Sequence, residues 1–93
     1  MIYIIDIDHT ICDSKNSDYE NSIPYKERIE KVNKLYEEGN HIIYWTARGG
    51  TSGIDWSNLT EKQLKTWKCK YHELRMNKPV YDVWVDDKSK WIF

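Results

Sequence analysis

Ile4-Ile5-Asp6-Ile7-Asp8-His9-Thr10 closes an apolar run that begins at Met1 and places two carboxylates, two residues apart, at its end. A run such as Met1 to Ile7 reads as a strand buried on both faces of a parallel sheet. An ionised carboxylate is costly in that setting unless a metal or a cation compensates it. The acid pair therefore points to a metal-assisted site, the ordinary alternative being that the strand stops at Ile5 and the acids open a solvated turn.

The same pattern, an apolar run ending in polar chemistry, occurs twice more. His41 to Trp45 leads into Thr46-Ala47-Arg48-Gly49-Gly50, and Val80 to Val85 leads into Asp86-Asp87-Lys88. In a doubly wound sheet the C-terminal ends of neighbouring strands meet in one crevice, so three separated segments can deliver their end groups to one place.

Between these runs, Ile29, Val32 and Leu35, with Tyr36 beside them, mark one face of a helix over Pro24 to Glu38, with Gly39 as its stop. Glu27 with Lys31 and Glu30 with Lys34 are four-residue pairs on its wet side. Thr60 and Gln63 have the spacing of a capping box, with Leu59 and Leu64 placed as a hydrophobic staple, which predicts a second helix from Thr60 or Glu61. Its inner face is Leu64, Trp67 and Tyr71. Tyr71 to Met76 reads as a short strand before the Asn77-Lys78-Pro79 break. Strand, helix, strand, helix, strand, loop, strand implies an α/β fold with right-handed parallel crossovers.

The chain has 93 residues, enough for one domain over 1–93 and little more. Its 40% apolar share supports a packed core, while 31% charged residues with a net charge of −1 make a mixed surface that advertises neither nucleic acid nor an anionic membrane. No apolar stretch approaches the roughly twenty residues of a membrane span. Two cysteines, Cys12 and Cys69, without a signal peptide predict reduced thiols and a cytoplasmic compartment.

With those four segments in order, the chain resembles haloacid dehalogenase superfamily phosphatases of the small, capless type. The resemblance spans Asp6 to Asp87. Asp6-Ile7-Asp8-His9-Thr10 matches the family's Asp-x-Asp-x-Thr motif, Ile43-Tyr44-Trp45-Thr46 its strand ending in a hydroxyl residue, Lys78 its lysine, and Asp86-Asp87 its terminal acidic pair. It implies a Rossmann-like three-layer sandwich with a small, mostly parallel sheet. It also implies a Mg²⁺-dependent phosphomonoesterase that works through an aspartyl-phosphate. Larger members insert a cap between motifs, but 11–40 and 47–77 are already filled by a loop and a helix each, the second with a short strand.

On that resemblance Asp6 is the nucleophile, and Asp6 with Asp86 supplies carboxylates to Mg²⁺. The backbone carbonyl of Asp8 adds a contact, and Asp87 is a nearby or water-mediated partner. Asp8 protonates the leaving alcohol and later activates water, Thr46 binds a phosphoryl oxygen, and Lys78 neutralises developing charge. Thr10, Arg48 and Gly49 are the candidates for substrate contact, Arg48 for an anionic group. A strand-end Thr and a Lys before Pro also have ordinary readings as a cap and a surface residue. His9 could line the mouth or simply turn the chain. Trp56 could stack on a sugar or base or belong to the core, whereas Trp45 and Trp84 read as packing. Trp91-Ile92-Phe93 either folds back on the core or forms a homo-oligomer contact.

The expected substrate is a small phosphorylated metabolite, first a sugar phosphate, because similar short chains are associated with bacterial surface-saccharide pathways. A phosphatase for nucleotides or nucleic-acid ends is an alternative that the neutral charge balance disfavours. A binding module with little turnover is the alternative from another class.

Overall fold

A computed structural model describes residues 1–50, 52–88 and 90–93. Strand β1 (Ile2–Ile5) pairs in parallel with the later strand His41–Trp45, which pairs in parallel with Glu73–Arg75. A two-residue antiparallel hairpin, β2 (Cys12–Asp13) with β3 (Ile23–Pro24), lies between the first strand and helix α1 (Lys26–Glu37). The sheet strands are then β4 (His41–Trp45) and β5 (Glu73–Arg75), separated by helix α2 (Ser57–Thr66). Sheet order is β1-β4-β5, with β1 and β5 at the edges.

Register decides what faces the helices. Tyr3 lies opposite Ile42, Ile5 opposite Tyr44, and Tyr44 opposite Leu74. These residues form one core with Ile29 and Val32 of α1 and Leu64 of α2. Both helices therefore cover the same face. Right-handed crossovers that step in one direction, β1 to β4 to β5, lay every connecting helix on one side. Ile2 and Ile4 alternate onto the other face and are 70% and 53% exposed.

The expected third layer and fourth strand are not among the described elements. Val80 to Val85 carries no regular pairing, and Val83 and Val85 are 77% and 89% exposed. A third layer requires the strand order to reverse beside β1, and among the described residues no strand occupies that edge.

Helix α1 ends where Gly39, with φ of 95°, completes a two-bond cap: its N–H donates to the Tyr36 carbonyl at 3.1 Å and that of Asn40 to Leu35 at 3.1 Å. Pro24 belongs to β3 and not to the helix. Helix α2 starts three residues before the capping-box reading places it, at Ser57. The Asp55 carboxylate accepts the Ser57 N–H at 2.9 Å and so satisfies a first-turn donor.

Cys12 and Cys69 are unpaired thiols, and burial pushes Cys69 up to about 12. Ile92 and Phe93 fold back on the core, and Lys31 donates to the Ile92 carbonyl at 2.6 Å. No helix of the described residues is long and apolar enough to cross a membrane.

Candidate functional site

The chain turns sharply after Ile7. The Thr10 and Ile11 N–H groups both donate to the Ile7 carbonyl, at 3.1 and 2.9 Å, and His9 takes a φ of 63°. Strand alternation would put Asp6 and Asp8 on one side. The turn sends them to different partners.

Asp6 faces the crevice. Thr10 Oγ1 donates to its Oδ2 at 3.4 Å, and Lys78 Nζ lies 3.7 Å from Oδ1. Burial is the largest influence on this carboxyl and raises it above its ordinary value, with Lys78 pulling it back down. Lys78 is fixed from both ends: its N–H donates to the Thr46 carbonyl at 2.9 Å, and its ammonium lies 5.4 Å from the Tyr81 ring centre and 5.8 Å from that of Trp84. Thr46 in turn donates its N–H to Arg75 at 2.9 Å, at the end of β5. The ends of β1 and β4 and the segment after β5 thus meet at Asp6, Thr46 and Lys78.

Asp8 is enclosed instead. Arg48 donates from Nε to its Oδ2 at 3.0 Å and from one terminal nitrogen to Oδ1 at 2.9 Å, while Ser14 Oγ donates to Oδ1 at 2.5 Å. The expectation that Arg48 contacts substrate is corrected here: its side chain is 0% exposed. Its other terminal nitrogen donates to Thr60 Oγ1 at 3.1 Å and Gln63 Oε1 at 2.6 Å, and the Tyr19 ring lies 4.7 Å from its guanidinium carbon. A buried guanidinium needs its charge and its donors matched, and this one meets both needs inside the fold.

Ser14, Thr60 and Gln63 were not foreseen as site residues. Thr60 and Gln63 left a signal that has the form of a capping box. In the fold both residues sit inside α2 and receive Arg48, and Thr60 Oγ1 donates back to the Trp56 carbonyl at 2.8 Å. Thr46 is also buried, and its Oγ1 accepts the Arg48 N–H at 3.2 Å. Gly49, with φ of 81°, folds the loop so closely that a Cβ would lie 2.1 Å from the Ile54 carbonyl oxygen.

Asp86 and Asp87 are not brought to Asp6. Asp86 is exposed and its Oδ1 accepts the Lys88 N–H at 2.8 Å. Among the described residues no group of three or more His, Cys, Asp or Glu could hold a metal ion. Among the expected metal contacts the Asp6 carboxylate faces the crevice, while the Asp8 side chain, whose backbone carbonyl was the expected contact, is held by Arg48 and Ser14. In this arrangement Asp6 is the carboxylate that would hold a Mg²⁺ ion, which accepts one or two protein carboxylates together with waters and substrate phosphate oxygens.

Two clefts open on the described surface, one of them at Asp6. One of about 170 Å³ is lined by Asp6, Thr10, Trp91 and Phe93. The other, about 260 Å³, lies between the hairpin tip and the loop after β4, and Tyr19, Gly49 and Trp56 line it.

Comparison with known proteins is sparse. No protein-family model and no curated protein matches the chain. Its fold is similar to the crystal structure of a structural-genomics target from Vibrio cholerae, with a TM-score of 0.75 and 26% identity over 99% of this chain and 78% of that one.

Proposed function

We propose that the chain is a capless phosphomonoester hydrolase of the haloacid dehalogenase type, acting on a sugar phosphate or a related small metabolite. The observation that carries this reading is Lys78 Nζ at 3.7 Å from Asp6 while the Lys78 N–H is bonded to Thr46, which joins three separated motifs at one end of the sheet.

In the proposed cycle an Asp6 carboxylate oxygen attacks phosphorus and the bond to the leaving oxygen breaks. Asp8 gives that oxygen a proton. Water then attacks the aspartyl-phosphate as Asp8 takes its proton back, which releases phosphate and restores Asp6. Lys78 and the Thr46 hydroxyl offset charge that develops on the phosphoryl oxygens.

The Mg²⁺ dependence belongs to the same proposal, and with it a fourth strand. Val80 to Val85 is the run that the open edge of β1 lacks, and its addition there would reverse the strand order and make the sheet Rossmann-like. The exposed valines of that run and the unpaired edge of β1 support this reading.

Phosphate release from phosphorylated sugars, nucleotides and phosphopeptides, measured with and without Mg²⁺, tests it. Sugar phosphates are expected to turn over only with the metal, and Asp6→Asn to abolish release. Release by that variant at the parent rate would sink the mechanism. A second reading, a binding module with little turnover, is favoured by the enclosure of Asp8; no release from any ester, together with retained binding of one, would select it.

A further inference from the structure

The larger of these clefts is lined by two hydroxyl residues, Ser17 and Ser52, two aromatic residues, Tyr19 and Trp56, and Gly49. We infer that it is a subsite for one neutral, hydroxyl-rich ring, the hexose-sized body of a substrate whose phosphate lies toward Asp6, with Trp56 and Tyr19 as its recognition surface. Its place in turnover rests on the hydrolase reading above.

Size comes first. A cavity of about 260 Å³ falls below the roughly 300–1,000 Å³ of drug-sized sites, so it admits one ring rather than a whole nucleotide or a peptide. Charge comes second. Among the described residues no carboxylate, lysine, arginine or histidine lines the cleft, and Arg48 beneath it has its charge matched by Asp8. An anionic or cationic body would lose hydration there without a partner.

The shape of the aromatic corner narrows the class further. Tyr19 and Trp56 meet edge to face at 79° with centroids 5.2 Å apart, so no parallel pair of rings is present to sandwich a flat base. One aromatic face with hydroxyls and carbonyls around it suits a ring that has apolar C–H faces and a polar rim. Ser17, at the hairpin tip, is held in the left-handed region with φ of 58°, a conformation that costs a non-glycine residue energy. Ser52 accepts the Ile54 N–H at 3.3 Å, which leaves its O–H free to donate.

The subsite is also linked, through Arg48, to Asp8. Ala47 and Gly49 line it on either side of Arg48, Tyr19 covers the guanidinium, and Thr60 links Arg48 to the Trp56 carbonyl. A ring seated against Trp56 therefore lies beside the cluster that holds Asp8.

The test titrates the intact protein with methyl hexopyranosides, with adenosine and with ethyl phosphate, and follows the indole N–H signals by NMR, Trp56 being assigned with Trp56→Phe. A hexopyranoside is expected to shift the Trp56 signal at millimolar concentration, adenosine and ethyl phosphate are not, and Ser17→Ala is expected to weaken the effect. If no glycoside moves that signal, or adenosine moves it more, the inference is overturned. In turnover, Trp56→Ala should lower the ratio of kcat/KM for a hexose phosphate to that for ethyl phosphate roughly tenfold, the size of one stacking contact. An unchanged ratio in a variant that keeps its circular dichroism overturns it too. If no ester is hydrolysed at all, the hydrolase reading fails, and the glycoside titration still decides the subsite.

Discussion

Asp8 and Asp86 are the same residue type at the ends of two apolar runs, and the fold treats them in opposite ways. Asp8 is packed against a buried arginine that is itself held by α2 and by the hairpin segment. Asp86 sits on an exposed turn, where hydrogen bonds from near neighbours, the Lys88 N–H first among them, hold its carboxyl below the ordinary value. A run of apolar residues fixes a carboxylate only when its strand has a neighbour. β1 has β4 beside it, while among the described residues Val80 to Val85 pairs with no strand.

The largest effect is expected where that contrast is sharpest. Arg48→Met should cost about 3–5 kcal/mol in urea unfolding, because it leaves the Asp8 carboxylate and two α2 acceptors without their donor. A loss under 1 kcal/mol, on the order of an exposed pair, would erase the distinction between the two regions. Thr60→Val removes one strut of the same cluster and should cost about 1–3 kcal/mol by the same measurement.

Asp6→Asn should change stability less than activity, and in the other direction. Burial raises the Asp6 carboxyl above its ordinary 3.8. A raised carboxyl holds its proton more tightly folded than unfolded, so its contribution favours folding below the unfolded pKa and is lost as pH rises through the folded one. The asparagine variant should therefore melt no lower than the parent near neutral pH and lose any advantage as the solution becomes acidic enough to protonate Asp6. An unfolding midpoint clearly below the parent's at neutral pH would show that the Lys78 contact outweighs burial.

The smallest effect is expected at the tail. Val85→Thr should shift unfolding by no more than about 0.5 kcal/mol, since the side chain is 89% exposed. If Mg²⁺ and a substrate phosphate make the same variant cost appreciably more than it does without them, the fourth strand proposed for the working enzyme gains its support.

The three sheet strands and both helices were legible in the sequence, and for a local reason. His41 to Trp45 reads as a strand and is one, and Ile29, Val32 and Leu35 at three-residue steps mark the face that α1 turns to the core. The two-residue hairpin was not legible, because Cys12–Asp13 and Ile23–Pro24 are too short to show alternation. Thr60 and Gln63 misled because a residue pair that satisfies a helix end can equally receive a side chain from elsewhere. Arg48 misled because an arginine on a glycine-rich loop gives no local sign of burial; its partner Asp8 is forty residues away.

The sequence by itself determined which segments are apolar, how long they are, and that Asp6, Asp8, Thr46 and Lys78 lie where those segments end. Such patterns depend on neighbours within a few positions. Only the tertiary structure decided that Asp6 meets Lys78 while Asp8 meets Arg48, that both helices share one face, and that Asp86 stands apart. Those outcomes depend on how a buried charge finds its match across the fold and on which strand edges are filled, and no local pattern encodes either.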